Sequence, residues 1–239
     1  MNKLTQQNNN FVRNWSKQVL DKGQIPVILG GDHSVPFGAI QACAEYHPET
    51  GIGILHIDAH ADLRHAYEGF QDSHASIMNN VVTRVPLVKK LVQVGVRDYS
   101  DEEAKLIEDS QGRIQTFFDT SLRHARIKGN LQAYLESIIT ELPQQVYLSV
   151  DIDGLDPTLC PNTGTPVPGG LRFDEFVTLL ELLANSGKSI IGMDLVEVAV
   201  PSGLPRTSWG DSWDANVGAR VLYKMIGFAL RARLNRLLA

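Results

Sequence analysis

The sequence predicts an α/β protein of three layers, in which an open, mostly parallel sheet lies between two layers of helices. Short apolar runs alternate with segments of helical periodicity along the chain, which indicates right-handed βαβ crossovers. Several runs are apolar throughout, as strands are when both faces of a parallel sheet are covered. The chain of 239 residues contains no linker, repeat or low-complexity tract, so we expect residues 1–239 to form a single domain.

The individual elements are predicted from periodicity. The expected strands cover residues 26–29, 53–57, 91–96, 114–118, 146–150 and 190–198. The first helix is predicted at residues 11–21, where Phe11, Trp15 and Val19 are spaced four apart on one face. The segment before it is rich in Gln and Asn, so we expect the first ten residues to be frayed. Further helices are predicted at residues 101–109, 131–141, 173–184 and 217–237.

Composition argues against several classes of function. The net charge of −5 provides no basic footprint for nucleic acid. No apolar run approaches the ~18 residues that a membrane helix needs. The polar start lacks the apolar core of a signal peptide, and the two cysteines form no CxxC pair. The sequence therefore predicts a cytoplasmic protein that binds neither membranes nor nucleic acids.

Three short blocks of aspartate and histidine follow three of the predicted strands. They read GGDHS at 30–34, DAHAD at 58–62 and DID at 151–153. Because parallel strands point their carboxyl ends at one crevice, we expect these side chains to converge. The spacing of two residues within the second and third blocks places their polar side chains on one side of an extended segment. The candidate metal ligands are His33, Asp58, His60, Asp62, Asp151 and Asp153.

The number and type of these ligands favour two divalent cations. Four converging carboxylates would repel one another unless cations neutralised them, and six ligands are too many for one tetrahedral ion. Oxygen and imidazole ligands without a thiolate suit Mn²⁺, with Ni²⁺ or another divalent metal as the alternative. Two metals that share a water convert it to a nucleophilic hydroxide near neutral pH. The resulting site is slightly anionic and its blocks carry no Lys or Arg, so a cationic guanidino substrate is expected rather than a phosphate.

The same blocks resemble the signatures of the ureohydrolase family, which includes arginase, agmatinase, formiminoglutamase and guanidinobutyrase. Those signatures are GGDHS, DAHxD and SxDxDxxDP, and they stand here at 30–34, 58–62 and 149–157. The likeness runs from about residue 23 to the C-terminus. It implies an arginase-like fold and the hydrolysis of C–N bonds in linear amidines.

The resemblance also implies roles for single residues. One Mn²⁺ would be held by His33, Asp58, Asp62 and Asp151, and the other by Asp58, His60, Asp151 and Asp153. Asp58 and Asp151 would bridge the two ions. A bridging hydroxide would attack the guanidino carbon to release urea and an amine, and Asp62 would handle its proton.

Three further residues match positions that face the substrate in this family, and the loop 63–76 offers a fourth candidate. Glu197 matches the glutamate that pairs with the guanidinium, and a carboxylate can accept a bidentate pair of N–H bonds there. His74 matches a histidine that shuttles protons or assists the leaving amine. Thr165 resembles a residue that lines the guanidino pocket. Arg64 is a candidate contact for a carboxylated substrate.

The choice of substrate remains open at the level of sequence. The segment 63–76 looks like agmatinase, which converts agmatine to putrescine and urea, whereas 213–220 resembles a less characterised agmatinase-like and formiminoglutamase-like branch. Formiminoglutamase, guanidinobutyrase, arginase and guanidine hydrolase activities are alternatives on the same site. From other classes, a metal-binding assembly protein without turnover and a zinc deacetylase are the competing hypotheses.

The N-terminal part departs from the family pattern. Family members usually carry many more residues before GGDHS, which supply two further strands, whereas here 29 residues precede Gly30. We therefore expect a sheet that is short of the N-terminal strands. Either the chain is truncated or another subunit covers the sheet edge, since an uncovered edge strand promotes association. The trimers and hexamers of the family imply a homo-oligomer.

Overall fold

The computed structural model describes residues 2–199, 201, 203 and 212–238. It contains one sheet of six parallel strands in the order β1-β6-β5-β2-β3-β4. The strands are β1 (Val27–Leu29), β2 (Ile52–Ile57), β3 (Val88–Val94), β4 (Ile114–Phe117), β5 (Gln145–Asp151) and β6 (Ser189–Val196). All the strand predictions are confirmed, and so is the three-layer α/β architecture.

Helices cover both faces of this sheet. They are α1 (Asn2–Asp21), α2 (Phe37–Glu45), α3 (Ile77–Arg84), α4 (Asp101–Asp109), α5 (Asp119–Lys128), α6 (Leu131–Thr140), α7 (Phe173–Asn185) and α8 (Trp213–Leu238). One apolar core lies between the sheet and α6, α7 and α8, and the other lies beneath α1, α2 and α3. None of the helices in the described ranges is both long and apolar enough to cross a membrane.

The first helix begins earlier than predicted. The prediction of a frayed start is wrong, because α1 extends from Asn2 to Asp21 and packs along α2. The two helices approach very closely, since a Cβ built on Gly38 of α2 would lie 2.2 Å from the backbone oxygen of Asn9. Tertiary packing of this kind stabilises a polar segment whose composition alone suggests fraying.

The strand order explains why the carboxyl ends of β2 and β5 form the crevice. From β2 the chain moves outward through β3 to β4, and from β5 it moves in the opposite direction to β6. The order therefore reverses between β2 and β5, and ligands of open α/β sheets bind at such a switch point. Every residue of β2 and β6 is buried, so these strands form a rigid floor for side chains that follow them.

We expect two glycine-to-alanine substitutions to change stability in opposite directions. Gly38→Ala should lower the free energy of unfolding by about 1–3 kcal/mol, because the new methyl group forces α1 away from α2. The matched control Gly227→Ala lies in α8, where a Cβ meets nothing within 4 Å, and should raise it by about 0.5–1 kcal/mol. Urea unfolding followed by circular dichroism measures both. A neutral Gly38→Ala would contradict the close contact.

Candidate metal centre

Neighbouring strands deliver the predicted site residues to one crevice. Asp58 directly follows β2 and Asp151 ends β5, and these strands are hydrogen-bonded neighbours. Glu197 directly follows β6, and His33 lies in the turn after β1. Because β1, β6, β5 and β2 are consecutive in the sheet, all these groups meet above the same edge.

The ring of His33 faces three carboxylates. Its Nδ1 atom lies 3.0 Å from an oxygen of Asp58, 3.3 Å from one of Asp62 and 3.2 Å from one of Asp151. The ring is buried, yet Nδ1 makes no hydrogen bond of acceptable geometry. A buried nitrogen without a partner normally costs free energy. One nitrogen with three carboxylate oxygens within 3.3 Å of it offers the ligand types that suit a divalent cation, although Asp151 lies outside the tighter group formed by His33, His56, Asp58 and Asp62.

A second group of ligands shares Asp58 with the first. The Nδ1 atom of His60 lies 3.3 Å from Oδ1 of Asp58 and 3.2 Å from Oδ2 of Asp153. Asp58 therefore turns its Oδ2 atom to His33 and its Oδ1 atom to His60. The described residues thus fit two adjacent cations with one carboxylate between them.

Close backbone approach and backbone strain position these ligands. A Cβ on Gly154 would lie 2.7 Å from the backbone nitrogen of Asp58, so only glycine lets the end of β5 come this near to β2. Asp62 and Glu197 have φ angles of 54° and 61°, in the left-handed region that L-residues rarely adopt. Such strain is typical of functional positions that the surrounding structure over-determines.

A hydrogen-bonded pair fixes the orientation of His33. Its Nε2 atom lies 3.0 Å from the hydroxyl oxygen of Ser149, and that hydroxyl donates to Asp194 over 3.1 Å. With the hydroxyl proton given to Asp194, Nε2 carries a ring proton, and a cation would bind the lone pair of Nδ1 once that nitrogen holds no proton. Burial raises the pKa of Asp194 to about 6, so this carboxyl is anionic above that pH.

Burial and the crowding of carboxylates change the pKa values of the cluster. Burial and the charge of Asp58 raise the pKa of both Asp62 and Asp151 well above the usual carboxyl range. Burial lowers the pKa of His60, but the neighbouring carboxylates of Asp153 and Asp58 outweigh it and raise that pKa to about 11. Without cations, bound protons therefore neutralise part of the negative charge.

A compact cavity opens above the carboxylates. It has a volume of about 150 Å³, and its lining includes Thr165 and Glu197, both named from sequence as substrate contacts. One carboxylate oxygen of Glu197 accepts a hydrogen bond of 3.0 Å from the backbone N–H of His33. The hydroxyl of Thr165 donates to Asp153 over 3.2 Å. The wall of the cavity is therefore attached directly to the ligand cluster.

His74 and Arg64 also line this cavity, and Arg64 is exposed, as are Tyr67 and Asp98 at the mouth. The ring of His74 meets Tyr67 edge-on at 5.5 Å, and the guanidinium of Arg64 lies 5.9 Å from the centre of the same tyrosine ring. Arg64 also approaches Glu103, with 3.8 Å between Nε and a carboxylate oxygen. Sequence reasoning did not identify Glu103 or Asp98 as lining residues, and nothing in their local sequence distinguishes them from surface charges.

His56 is a further histidine beside the cluster. Its Nε2 atom lies 2.9 Å from Oδ2 of Asp58. By proximity alone, ligand atoms of His33, His56, Asp58 and Asp62 all fall within 4.8 Å of one another. Distance therefore does not decide whether His56 binds a cation or a carboxylate.

We expect cation binding to release protons. Burial lowers the pKa of His33 and of His60, but their carboxylate neighbours outweigh it and raise both pKa values, so a cation must compete with protons for these rings. The affinity for Mn²⁺ should therefore rise with pH through the neutral range, and it should fall as the solution becomes acidic. Titration calorimetry at pH 7 in two buffers of different ionisation enthalpy measures the protons released. Zero net release would contradict the charge state described above.

Comparison with known proteins agrees with this geometry. Residues 2–227 match the model of the arginase family. The chain is 36% identical over 84% of its length to N(1)-aminopropylagmatine ureohydrolase of Thermus thermophilus, of which 63% is covered. It is 30% identical over 79% of its length to agmatinase of Bacillus anthracis, of which 60% is covered.

The similarity to this family extends to a solved structure. The agmatine ureohydrolase of Thermoplasma volcanium superposes with a TM-score of 0.76 at 25% identity, over 97% of this chain and 71% of that one. The chain spans about three fifths of the length of the curated relatives it matches. Since the family model covers nearly all of its residues, the chain belongs to the arginase family.

Proposed function

We propose that the chain is a manganese-dependent amidinohydrolase that cleaves a C–N bond of a guanidino compound to release urea and an amine. The observation that carries this proposal is the pair of histidine–carboxylate groups that share Asp58 beneath the carboxylate of Glu197. The first cation would be held by His33, Asp58, Asp62 and Asp151, and the second by Asp58, His60, Asp151 and Asp153. When bound, two such ions supply Lewis-acid activation of a water molecule near neutral pH.

The side chains around the cavity bind the substrate and transfer the protons. Glu197 accepts two N–H bonds from the planar guanidinium and holds its central carbon over the cluster. Asp62 accepts the proton of the attacking water. His74, which lines the same cavity, donates a proton to the departing amine so that it leaves as a neutral group. Thr165 keeps Asp153 in place through its hydroxyl.

The mouth of the cavity favours a substrate with a cationic tail, most like agmatine. Asp98 lies there with 66% of its side chain exposed, and its carboxylate, 4.0 Å from Nε2 of His60, can attract an ammonium group from solvent. Arg64 is close to Glu103, which offsets much of its charge. The agmatinase and aminopropylagmatine ureohydrolase names of two relatives support the same choice. Arg64 also keeps guanidinobutyrate as a second candidate, because its guanidinium remains partly exposed.

The substrate is tested by direct assay. Mn²⁺-loaded protein is incubated with agmatine, arginine, guanidinobutyrate, formiminoglutamate or guanidine, and urea, formamide or ammonia is measured. We expect agmatine to have the highest kcat/KM. Glu197→Gln should lower kcat by about 10²–10³-fold, because it removes a charge that holds the reacting group. The control Glu108→Gln, on the exposed surface of α4, should leave the rate unchanged. A protein that binds Mn²⁺ but turns over none of these compounds would instead be a metal-binding protein without turnover.

Loss of a shared ligand should remove both ions. Asp151 is proposed to contact both cations, so Asp151→Ala should abolish binding of the pair. Asp153 lies beside His60 and makes no ion pair with His33. Asp153→Ala should therefore remove one ion and leave the site around His33. Metal content after dialysis, measured by inductively coupled plasma mass spectrometry, distinguishes the two variants. Retention of two tightly bound ions by Asp151→Ala would refute the bridging assignment.

A further inference from the structure

A row of polar side chains crosses the buried sheet beneath the ligand cluster. The strand register pairs His56 of β2 with Gln93 of β3, and Gln93 with Thr116 of β4. On the other side, His56 pairs with Ser149 of β5, and Ser149 pairs with Asp194 of β6. All five side chains are buried, in a layer where apolar residues are the rule. Burying these polar groups costs free energy of folding, and hydrogen bonds within the row and to the cluster must offset it.

The amide of Gln93 has only one possible orientation. Its nitrogen lies 2.7 Å from the backbone oxygen of Ala61, and its oxygen accepts the Thr116 hydroxyl over 3.0 Å. Turning the amide over would place two oxygens 2.7 Å apart at Ala61. The nitrogen must therefore face both Ala61 and His56, where it lies 3.0 Å from Nδ1 of the ring.

This orientation fixes the proton of His56. Since Gln93 donates a hydrogen to Nδ1, the lone pair of that nitrogen is occupied and its proton is absent. The ring proton is then on Nε2, which donates it to Oδ2 of Asp58 over 2.9 Å. Neither ring nitrogen retains a free lone pair, so His56 is unsuited to be a metal ligand although it lies within ligand distance.

We propose that His56 is a positioning residue, held as a single N–H donor by Gln93 and Thr116, that orients the carboxylate shared by the two cation sites. Asp58 needs this support because it must present one oxygen to His33 and the other to His60 at once. Rotation of its carboxylate would break both contacts together. The backbone N–H of His60 holds Oδ1 at 2.6 Å, and His56 holds Oδ2 from the opposite side. This inference rests on the metal binding of the proposed function but not on its substrate.

Two substitutions at His56 separate positioning from ligation. His56→Gln retains an N–H donor near the place of Nε2 and should bind two Mn²⁺ ions with nearly unchanged affinity. His56→Phe keeps the volume and removes the donor, and it should weaken Mn²⁺ binding by about 10–100-fold, as loss of a ligand's hydrogen-bond partner does. Calorimetric titration of Mn²⁺ gives stoichiometry and affinity. Loss of one ion by a folded His56→Gln would show that His56 is a ligand and overturn the proposal.

A change at Gln93 tests the proton position without touching His56. A carboxylate in Gln93→Glu offers no hydrogen to Nδ1 and accepts one instead, so Nδ1 should gain a proton while Nε2 keeps the one that it donates to Asp58. Long-range ¹H–¹⁵N spectra of histidine-labelled, metal-free protein report this proton directly. We expect the neutral Nε2–H form in the unmodified chain and a ring that carries protons on both nitrogens in the variant. An Nδ1–H form in the unmodified chain would contradict the inference, whatever the outcome for turnover.

If His56→Phe fails to fold, Thr116→Val provides a milder test at the far end of the row. It preserves shape and removes the hydrogen bond to the Gln93 oxygen. We expect a small loss of Mn²⁺ affinity and a larger fraction of the Nδ1–H form, with a thermal unfolding transition that remains cooperative. An unchanged affinity together with an unchanged proton position would show that the row does not act on Asp58. Intact metal binding without urea release would remove the proposed activity and leave this inference standing.

Discussion

The mutual repulsion of carboxylates at the ends of β2 and β5 is the constraint on which the rest of this structure depends. Asp58, Asp62, Asp151 and Asp153 are all buried, and they lie at or just after the ends of two strands that are hydrogen-bonded neighbours. Water cannot screen charges at that depth, so protons or cations must balance them. In the metal-free protein the pKa values of Asp62 and Asp151 are raised, so bound protons reduce the repulsion. Two divalent cations would reduce it in their place.

The surrounding chain holds this unfavourable arrangement together by backbone hydrogen bonds. Arg97 donates to the backbone oxygens of Asp153 at 2.7 Å and Val167 at 2.9 Å, so it ties the ligand strand to the proline-rich loop that carries Thr165. That loop is also secured by Asp214 at the start of α8, which accepts two hydrogen bonds from Asn162. These contacts hold the candidate ligands in place without a cation, and such support allows strained conformations at Asp62 and Glu197 to persist.

Sequence reasoning succeeded where information is local. Continuous apolar runs identify buried parallel strands, and ligands two residues apart after such runs identify the crevice. It failed for α2, whose residues are almost all buried and show no amphipathic period, and for the start of α1, which packing against Gly38 stabilises. It also could not place Gln93 with Thr116, because strand register is set by tertiary packing rather than by residues near them in the chain.

The polar row and the cavity mouth determine different properties of the site. The row lies inside the sheet, and none of its members lines the cavity, so it constrains the geometry of the reacting centre and not the substrate. The mouth is built from Arg64, Tyr67, His74 and Asp98, on loops that follow β2 and β3, where side chains can change without disturbing a strand. A family with this division can keep one reaction at the base of the crevice while the loops adapt to different amines. At this mouth the proposed cationic tail would meet the exposed carboxylate of Asp98 and a guanidinium whose charge Glu103 partly offsets.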